Sequence, residues 1–334
     1  MSRNDPAPDW QPSCDRSALV ARAELNAAIR RFFAERGVLE VETPLLCRHT
    51  GTDPNLQPFL THFHLPGETA GAGLPLYLQT SPEFAMKRLL AAGSGSIFQI
   101  CKAFRNEESG RFHNPEFTLL EWYRVEFELS NLMDEIDALL TALLRGRRGL
   151  LPSERLAYRE VFLQWVGADP LENLQELSTC ARQRGLQDAD RLCGEDRTLW
   201  LDLLFSHLVQ PHLGADRLSF VYDYPAILPS LARSKPGDRA VVERVEIFLD
   251  GLELGNGFRE LADPIEQERR FDADLATRRQ HGMSEPAKDQ RLLAALEAGL
   301  PDCSGVAVGL DRLLMLVTDA RAIEMVIPFS VERA

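Results

Sequence analysis

The segment from Phe104 to Tyr123 holds the residues of this chain that are best suited to chemistry. It begins with Phe-Arg-Asn-Glu-Glu, crosses a polar run and returns through Phe-Thr-Leu-Leu-Glu-Trp-Tyr. This pattern predicts a β-hairpin in which period-two alternation places Arg105 and Glu107 on one strand face, with Phe117 and Tyr123 on one face of the return strand. A guanidinium stabilises charge that develops on a phosphate, and a planar ring stacks on a nucleobase. We therefore predict that the hairpin holds ATP while an acid is activated on its phosphate, although a surface hairpin with an ordinary Arg–Glu pair is the alternative for these residues alone.

A second group of carboxylates lies in the Gly-rich segment 253–261. Glu253 and Glu260 are seven residues apart around Gly-Asn-Gly, which predicts a bend that directs both carboxylates into one cavity. Mg²⁺ prefers one or two protein carboxylates plus phosphate oxygens and water, so the pair predicts a magnesium site beside ATP. The alternative is that one of them, together with Glu83, neutralises an ammonium group of the substrate.

The segment from Gly305 to Arg312 reads as a strand of small residues that turns into a helix. Gly309 would allow the backbone to approach a ligand closely, and Arg312 falls in the first turn of the helix. An arginine is unfavourable beside the positive end of a helix dipole, so we expect an anionic partner there. A structural salt bridge is the alternative.

The elements that must position these residues follow from periodicity and from Gly and Pro punctuation. Ser81 is expected to cap the helix that follows it, with Pro82 at the first helical position. We predict helices over 17–36, 82–92, 132–144, 158–164, 199–213, 264–279 and 313–317, and extended segments over 38–44, 76–80, 218–222 and 240–249. The region of about 130–215 reads as a mainly helical insertion.

Composition bounds the class of protein. With 334 residues, of which 45% are hydrophobic and 26% charged, the chain can build one large globular domain. Its apolar runs are interrupted well before the roughly 20 residues of a membrane span, and the N-terminus has no apolar core of a secretory signal, so we expect a cytoplasmic protein without membrane association. The net charge of −13 disfavours a large nucleic-acid footprint. The six cysteines include no Cys-x-x-Cys pair, so we expect neither a zinc site nor a disulfide framework.

Taken in order along the chain, these sequence segments resemble the three motifs of the class II aminoacyl-tRNA synthetase catalytic domain. Within that class they resemble the lysyl branch. Residues 35–44 resemble motif 1, 104–123 motif 2 and 305–312 motif 3, and the resemblance spans roughly 18–329. It implies an α+β fold in which an antiparallel β-sheet is flanked by helices. It also implies a flexible segment over residues 1–16 and a single catalytic domain over 17–334 that carries the helical insertion, and a homodimer built through motif 1.

The resemblance also implies roles for individual residues. Arg105 would contact the α-phosphate and, with Arg312, act in catalysis, while Phe117 and Arg312 would cover the two faces of adenine. The implied ATP-binding residues are Arg105, Asn106, Glu107, Asn114, Phe117, Glu253, Leu254, Gly309 and Arg312. The implied substrate-binding residues are Ser81, Pro82, Glu83, Tyr123, Glu260 and Ala307. The implied Mg²⁺ ligands are Glu253 and Glu260.

Too few residues precede motif 1 to fold as the anticodon-binding barrel that lysyl-tRNA synthetases place there. We therefore expect amino-acid activation without tRNA recognition, as in lysyl-synthetase paralogues that attach (R)-β-lysine to a lysine of elongation factor P. Ser81 and Ala307 stand where synthetases of the lysyl branch typically have Ala and Gly, and an added methyl at Ala307 would reshape the pocket floor for a displaced amino group. The choice between (R)-β-lysine and α-lysine stays open. The alternatives are a truncated lysyl-tRNA synthetase that charges tRNA, and a regulatory subunit with a dead site, which the presence of both Arg105 and Arg312 disfavours.

Overall fold

The computed structural model describes residues 10–67, 73–145, 149–171, 173–228 and 231–334. Its helices are α1 (Arg16–Ala34), α2 (Glu83–Ala91), α3 (Leu129–Leu144), α4 (Tyr158–Val166), α5 (Leu174–Gln183), α6 (Ala189–Cys193), α7 (Arg197–Leu204), α8 (Pro264–Gln280), α9 (Gln290–Gly299) and α10 (Leu310–Thr318). Its strands are β1 (Leu39–Glu40), β2 (Leu46–Cys47), β3 (Phe59–Phe63), β4 (Leu74–Leu78), β5 (Ile97–Phe104), β6 (Glu116–Val125), β7 (Glu154–Ala157), β8 (Ser219–Pro225), β9 (Ser234–Lys235), β10 (Asp238–Leu249), β11 (Leu252–Arg259) and β12 (Cys303–Gly309). Among these residues, no helix is both long and apolar enough to cross a bilayer.

One large sheet organises the molecule. Its strands run in the order β1-β5-β6-β12-β11-β10-β8-β7, with β9 paired to β10 beside this path. The β1–β5 and β7–β8 pairs are parallel, and the pairs between them are antiparallel. A separate small sheet has the order β2-β4-β3. The prediction of an antiparallel sheet flanked by helices is confirmed.

The main core lies on one face of this sheet. Even-numbered residues of β5 and β6, among them Phe98 and Trp122, pack there with Phe33 of α1 and with side chains of α3 and α10. Phe33 stacks on Phe98 with ring centroids 4.5 Å apart. Because side chains alternate along a strand, the odd-numbered residues of the same strands must project from the opposite face.

The opposite face is covered at its two ends by different helices. At one end, Met86 of α2, Phe271 of α8 and Leu292 of α9 pack on Ile97 and Tyr123. At the other end, helices α4 to α7 form a core of their own that packs on β8 and β10. The middle of this sheet face stays uncovered and forms the floor of a cavity.

Most predicted elements are present, with shifted boundaries. The helix expected over 17–36 is α1, and the predicted hairpin is β5–β6. The extended run over 38–44 contributes only the two residues of β1 to the sheet. The helix expected over 199–213 is α7, which ends at Leu204 and continues as a π turn and a 3₁₀ turn around Pro211, because proline lacks the N–H that an α-helix requires. The insertion is mainly helical, but β7 adds an edge strand to the large sheet, and α5 and α6 were not predicted. Most of the segment predicted to be flexible, residues 1–9, lies outside the described residues.

Candidate active site

Three neighbouring strands build the cavity floor. The register aligns Glu121 of β6 with Ala307 of β12, and Ala307 with Asn256 of β11, so these three side chains form one row across the sheet. The next row contains Tyr123, Gly305 and Phe258. All six residues line one cavity of about 1630 Å³, which exceeds the roughly 300–1,000 Å³ of an ordinary small-molecule site.

Strand β11 corrects one prediction. The Gly-Asn-Gly segment lies inside an unbroken strand, so the predicted bend is wrong. Glu253 and Glu260 both line the large cavity, but seven residues of extended strand separate them by on the order of 20 Å. They cannot share one Mg²⁺ ion. A bulge opposite Ile247 and Phe248 shifts the alternation of β11, which is how odd-numbered Glu253 and even-numbered Glu260 come to face the same cavity.

The Glu260 end of the cavity is acidic and contains a buried ion triad. Lys87 Nζ lies 2.7 Å from Glu83 Oε1 and 2.6 Å from Glu260 Oε2. Burial alone would lower the pKa of Lys87, but Glu260 and Glu83 outweigh it and raise this pKa. Burial raises the pKa of Glu260 to about 7, although Lys87 opposes this effect. Glu83 and Glu260, to which the resemblance assigns substrate binding, thus lie on either side of Lys87, a residue for which the sequence predicted no role.

Glu121 adds a third carboxylate beside the triad. Tyr123 donates a hydrogen bond to its Oε1 at 2.7 Å. Burial, followed by the charge of Glu83, raises the pKa of Glu121 to about 8. Its Oε2 atom and Asn256 Oδ1 are buried without a hydrogen-bond partner among the described residues. Two unpartnered acceptors in one row of the floor call for a donor, and an ammonium group would supply it. Alternation along the strand predicts that Glu121 shares the face of Tyr123, but no role was predicted for Glu121. Asn256 was interpreted only as part of a bend.

The other predicted substrate residues lie at this end of the same cavity. Ser81, Pro82 and Ala307 all line it. Helix α2 begins at Glu83, one residue later than predicted, and Ser81 Oγ accepts a hydrogen bond from the Glu83 N–H at 3.1 Å. The Ser81 hydroxyl therefore fixes the start of the helix that carries Glu83 and Lys87.

The opposite end of the floor opens into a second compartment of about 230 Å³. Arg105, Glu253, Asn256 and Ala307 line both spaces, so the two compartments adjoin. The guanidinium of Arg105 lies 5.0 Å from the centroid of the Phe117 ring. Arg105 Nη1 is 3.4 Å from Glu108 Oε1, and its Nε is buried without a hydrogen-bond partner among the described residues. A cation with a spare donor beside a ring suits a nucleotide phosphate.

Arg312 forms another side of the smaller compartment. Its Nη1 donates to the Glu253 backbone oxygen at 2.8 Å, and its Nη2 lies 2.6 Å from His113 Nε2. Burial, followed by the charge of Arg312, lowers the pKa of His113, which favours the neutral ring that can accept this bond. The preceding residue, Asp311, accepts the Thr118 N–H at 2.7 Å and pairs with Arg22. These bonds fix the start of α10 against the motif 2 hairpin.

Glu253, Leu254 and Gly309, which the resemblance assigns to ATP binding, all line the smaller compartment. Burial raises the pKa of Glu253 to about 7, with the charge of Glu246 as the second cause. The guanidinium groups of Arg312, Arg244 and Arg105 oppose this rise without cancelling it, so further positive charge near Glu253 would favour its ionised form. A divalent cation would supply that charge.

Three other predicted ATP contacts are placed differently. Asn106 and Glu107 are exposed at the hairpin turn, and neither is among the residues that line the two compartments. Asn114 lines the smaller compartment, but its amide donates to the Glu116 oxygen and accepts the Val331 N–H. Its side chain therefore holds the hairpin loop against the C-terminal segment. Glu108, which the sequence left without a role, lines the smaller compartment next to Arg105.

Comparison with known proteins identifies the family of the domain that contains this site. Residues 9–333 match the family of tRNA synthetases class II (D, K and N). The chain belongs to this family. Among curated relatives, the elongation factor P (R)-β-lysine ligase of Pectobacterium atrosepticum is 50% identical over 327 residues, which cover 97% of this chain and 98% of the relative. The proteins of the same name from Vibrio cholerae (50% over 327 residues, 98% and 99% covered) and Klebsiella pneumoniae (49% over 329 residues, 97% and 98% covered) are similarly close.

Membership of this family confirms the resemblance that motifs 1, 2 and 3 indicated. The motif 2 strands are β5 and β6, and motif 3 is β12 with the start of α10. In this class II synthetase domain, both motifs line the smaller compartment, through Arg105 of motif 2 and Arg312 of motif 3.

Proposed function

We propose that this protein uses ATP to activate (R)-β-lysine and transfers the acyl group to a lysine of elongation factor P. In the first step, a carboxylate oxygen of the amino acid attacks the α-phosphorus of ATP, and pyrophosphate leaves. In the second step, the ε-amine of the acceptor lysine attacks the carbonyl carbon of the acyl-adenylate. AMP leaves, one proton is released and an amide bond forms.

The observation that carries this proposal is that the cavity contains both buried acceptors without a donor and a buried donor without an acceptor. Among the described residues, Glu121 Oε2 and Asn256 Oδ1 in the floor have no donor, and Arg105 Nε has no acceptor. A buried polar group without a partner costs about 1–3 kcal/mol, so a ligand that satisfies all three is favoured. An amino acid with a second ammonium group, joined through its carboxylate to a phosphate, has this arrangement of charge.

The side chains would act mainly by orientation and charge stabilisation. The acidic end would hold the ammonium groups so that the substrate carboxylate points toward Arg105, and Arg105 would stabilise the charge that develops on the α-phosphate. Phe117 and Arg312 both line the smaller compartment and would cover the two faces of adenine. The reaction needs no side-chain nucleophile.

Magnesium fits this site through Glu253. Mg²⁺ takes one or two carboxylates together with phosphate oxygens and water, and Glu253 lines the smaller compartment together with Arg105 and Arg312, where the triphosphate would lie. When bound, the ion would neutralise charge on the triphosphate. Glu260 is excluded from that role by its distance along β11 and by its pairing with Lys87.

The assignment of the acceptor rests on the relatives. Proteins named elongation factor P (R)-β-lysine ligase match this chain over nearly their whole length. We further propose a homodimer and cytoplasmic activity without a tRNA substrate.

The test compares substrates side by side. ATP–pyrophosphate exchange is measured with (R)-β-lysine and with α-lysine, and acyl transfer is then measured to elongation factor P and to tRNA-Lys. We expect exchange to prefer (R)-β-lysine and transfer to occur only to elongation factor P. A preference for α-lysine, or tRNA charging at comparable efficiency, would replace this proposal by a lysyl-tRNA synthetase activity.

The variant Arg105→Ala tests the role of Arg105 in the same exchange assay. We expect its exchange rate to fall by about 10²–10³, the usual cost of one donor that stabilises developing charge. Arg279→Ala is the control, because Arg279 is an exposed arginine of α8 that pairs with Glu285 in the segment that follows this helix. Equal rates for the two variants would remove Arg105 from the reaction.

A further inference from the structure

Lys87 is a buried cation that the reaction above does not use. It lies one turn after Glu83 on α2, and its side chain is 1% exposed. Its Nζ atom is shared between Glu83 Oε1 and Glu260 Oε2. Both of these glutamates line the cavity, so the ammonium lies beneath them, on the side away from the ligand space.

The formal charges around Lys87 do not balance. Glu83, Glu121 and Glu260 contribute three carboxylates to this end of the cavity, and Lys87 contributes one ammonium, which leaves a formal charge of −2 when all are ionised. A diamino acid such as a lysine isomer carries two ammonium groups. With Lys87 in place, the net negative charge of the compartment therefore balances the two positive charges of such a substrate. Without Lys87, the three carboxylates would carry more negative charge than the two ammonium groups can balance.

We propose that Lys87 is a positioning residue that sets the charge and geometry of the amino-acid compartment for a substrate with two ammonium groups. The inference rests on the proposed function and deepens it. Lys87 takes one oxygen each from Glu83 and Glu260, fixes both carboxylates on the floor, and leaves their remaining acceptor capacity to the substrate.

The surroundings make charge the main effect of Lys87. The titratable groups that face the triad are Glu83 on α2, Glu121 and Tyr123 on β6, Glu260 after β11 and Cys303 on β12. Helices α8 and α9 contribute apolar side chains such as Phe271 and Leu292 to the same region. Within this set Lys87 is the only cation, and it opposes the rise in the pKa values of Glu121 and Glu260 that burial causes, so its loss must raise these pKa values further.

The experiment compares Lys87→Met, Lys87→Arg and the control Lys288→Met. Lys288 also bridges two carboxylates, Glu268 at 2.7 Å and Asp272 at 2.9 Å, but it lies outside the cavity. Pyrophosphate exchange is measured from pH 6 to pH 9.5, with separate KM values for the amino acid and for ATP. For Lys87→Met we expect the amino-acid KM to rise about tenfold or more, the ATP KM to stay within about twofold, and the acidic limb of the profile to move upward by about one to three pH units.

Lys87→Arg keeps the charge, so its acidic limb should stay at the wild-type pH even if the amino-acid KM rises, and Lys288→Met should match the wild type throughout. An unmoved acidic limb in Lys87→Met, or an equal rise in the ATP KM, would overturn the inference. If Lys87→Met does not fold, the double variant Lys87→Met/Glu83→Gln restores the charge balance and should fold with a near-wild-type acidic limb; failure of that rescue would also overturn the inference. Wild-type protein that activates no lysine isomer would overturn the proposed function, and this inference with it.

Discussion

Glu121 and Glu260 make amino-acid binding dependent on pH. Their pKa values are raised to about 8 and about 7, with burial as the first cause. A carboxylate whose pKa is raised on folding stabilises the protein at low pH, and this contribution is lost as the pH rises through the folded-state value. A bound ammonium reverses the preference because it favours the ionised carboxylates. Amino-acid binding must therefore release protons below about pH 8.

We predict that the dissociation constant for the amino acid rises as the pH falls from 9 to 6, by up to about tenfold per pH unit for each proton released. Calorimetric titration in buffers of different ionisation enthalpy would count these protons. The ligand-induced rise in Tm should likewise be larger at pH 9 than at pH 6. A dissociation constant that is independent of pH over this range would contradict the charge assignment.

Ala307 offers a test of substrate choice at one methyl group. It lies between Glu121 and Asn256 in the floor, so its methyl limits how deeply an amino group can enter the row. We predict that Ala307→Gly shifts the ratio of kcat/KM for (R)-β-lysine over α-lysine toward α-lysine by about tenfold or more, the usual range for one methylene-sized change in a pocket.

Ala103→Gly is the control for this substitution. Ala103 is a buried β5 residue that pairs with Phe117 and does not line either compartment. It should lower stability, as glycine does in a strand, without changing the substrate ratio. An identical substrate ratio in the Ala307 variant and the wild type would exclude Ala307 from specificity.

The residues that the sequence missed share a physical reason. Glu121 and Lys87 each lie in a mainly apolar stretch of sequence. A charged residue in such a stretch is ordinarily interpreted as a surface residue or as part of an ordinary ion pair. The spacing of Glu83 and Lys87 by one helical turn was visible, but the partner Glu260 comes from a strand 173 positions later than Lys87. Only the packing of α2 on the sheet, together with the register of β6, β12 and β11, brings these groups to one compartment.

At the scale of elements, Gly305 controls how β12 packs beneath Tyr123. A Cβ atom at this position would lie 2.4 Å from the Tyr123 ring and 2.8 Å from Glu260 Oε1. We predict that Gly305→Ala displaces the ring, lowers the free energy of unfolding by about 1–3 kcal/mol and raises the amino-acid KM. Chemical denaturation and pyrophosphate exchange measure the two effects.

Gly149→Ala is the matched substitution, since an added Cβ there meets no heavy atom within 4 Å and the backbone has no positive φ. Its stability and amino-acid KM should equal those of the wild type. If the Gly305 variant behaved in the same way, the close packing of Tyr123 on β12 would have no energetic consequence.

The same close packing explains why the Gly-Asn-Gly segment was mistaken for a bend. A Cβ at Gly255 would lie 2.6 Å from the Ala307 oxygen, and one at Gly257 would lie 3.0 Å from the Gly305 oxygen. These glycines of β11 let it approach β12 closely, which is the other common reason for glycine in a strand. Local sequence predicts strands that have an alternating or apolar pattern, such as β5 and β6. It does not predict a strand such as β11, whose glycines are required by its packing on a neighbouring strand. Helix α6, with five residues, was missed because packing rather than local preference stabilises so short a helix.

At the scale of the whole molecule, the large sheet separates stability from chemistry. One face carries the main apolar core with α1, α3 and α10, while the middle of the other face carries the charged cavity. The sequence predicted this division in outline, because odd- and even-numbered residues of motif 2 differ in polarity. The two helical covers at the ends of the cavity could not be predicted, since they depend on long-range packing of α2, α8 and α9 and of the insertion.

The small sheet, whose strand β2 begins two residues after motif 1, presents an apolar face that we propose a second copy of the chain covers together with motif 1. Cross-strand pairing places Leu46, Phe63 and Leu74 on one face of this sheet, and the first two are 49% and 51% exposed. Because the proposed homodimer would bury these side chains, we predict that Leu46→Glu/Phe63→Glu sediments at the 37.5 kDa of one chain, whereas the wild type sediments at twice this mass. Leu192→Glu is the control, since Leu192 is 56% exposed on α6 in the insertion, and it should stay dimeric. A wild-type monomer at micromolar concentration, or a double variant that remains dimeric, would contradict the use of this face.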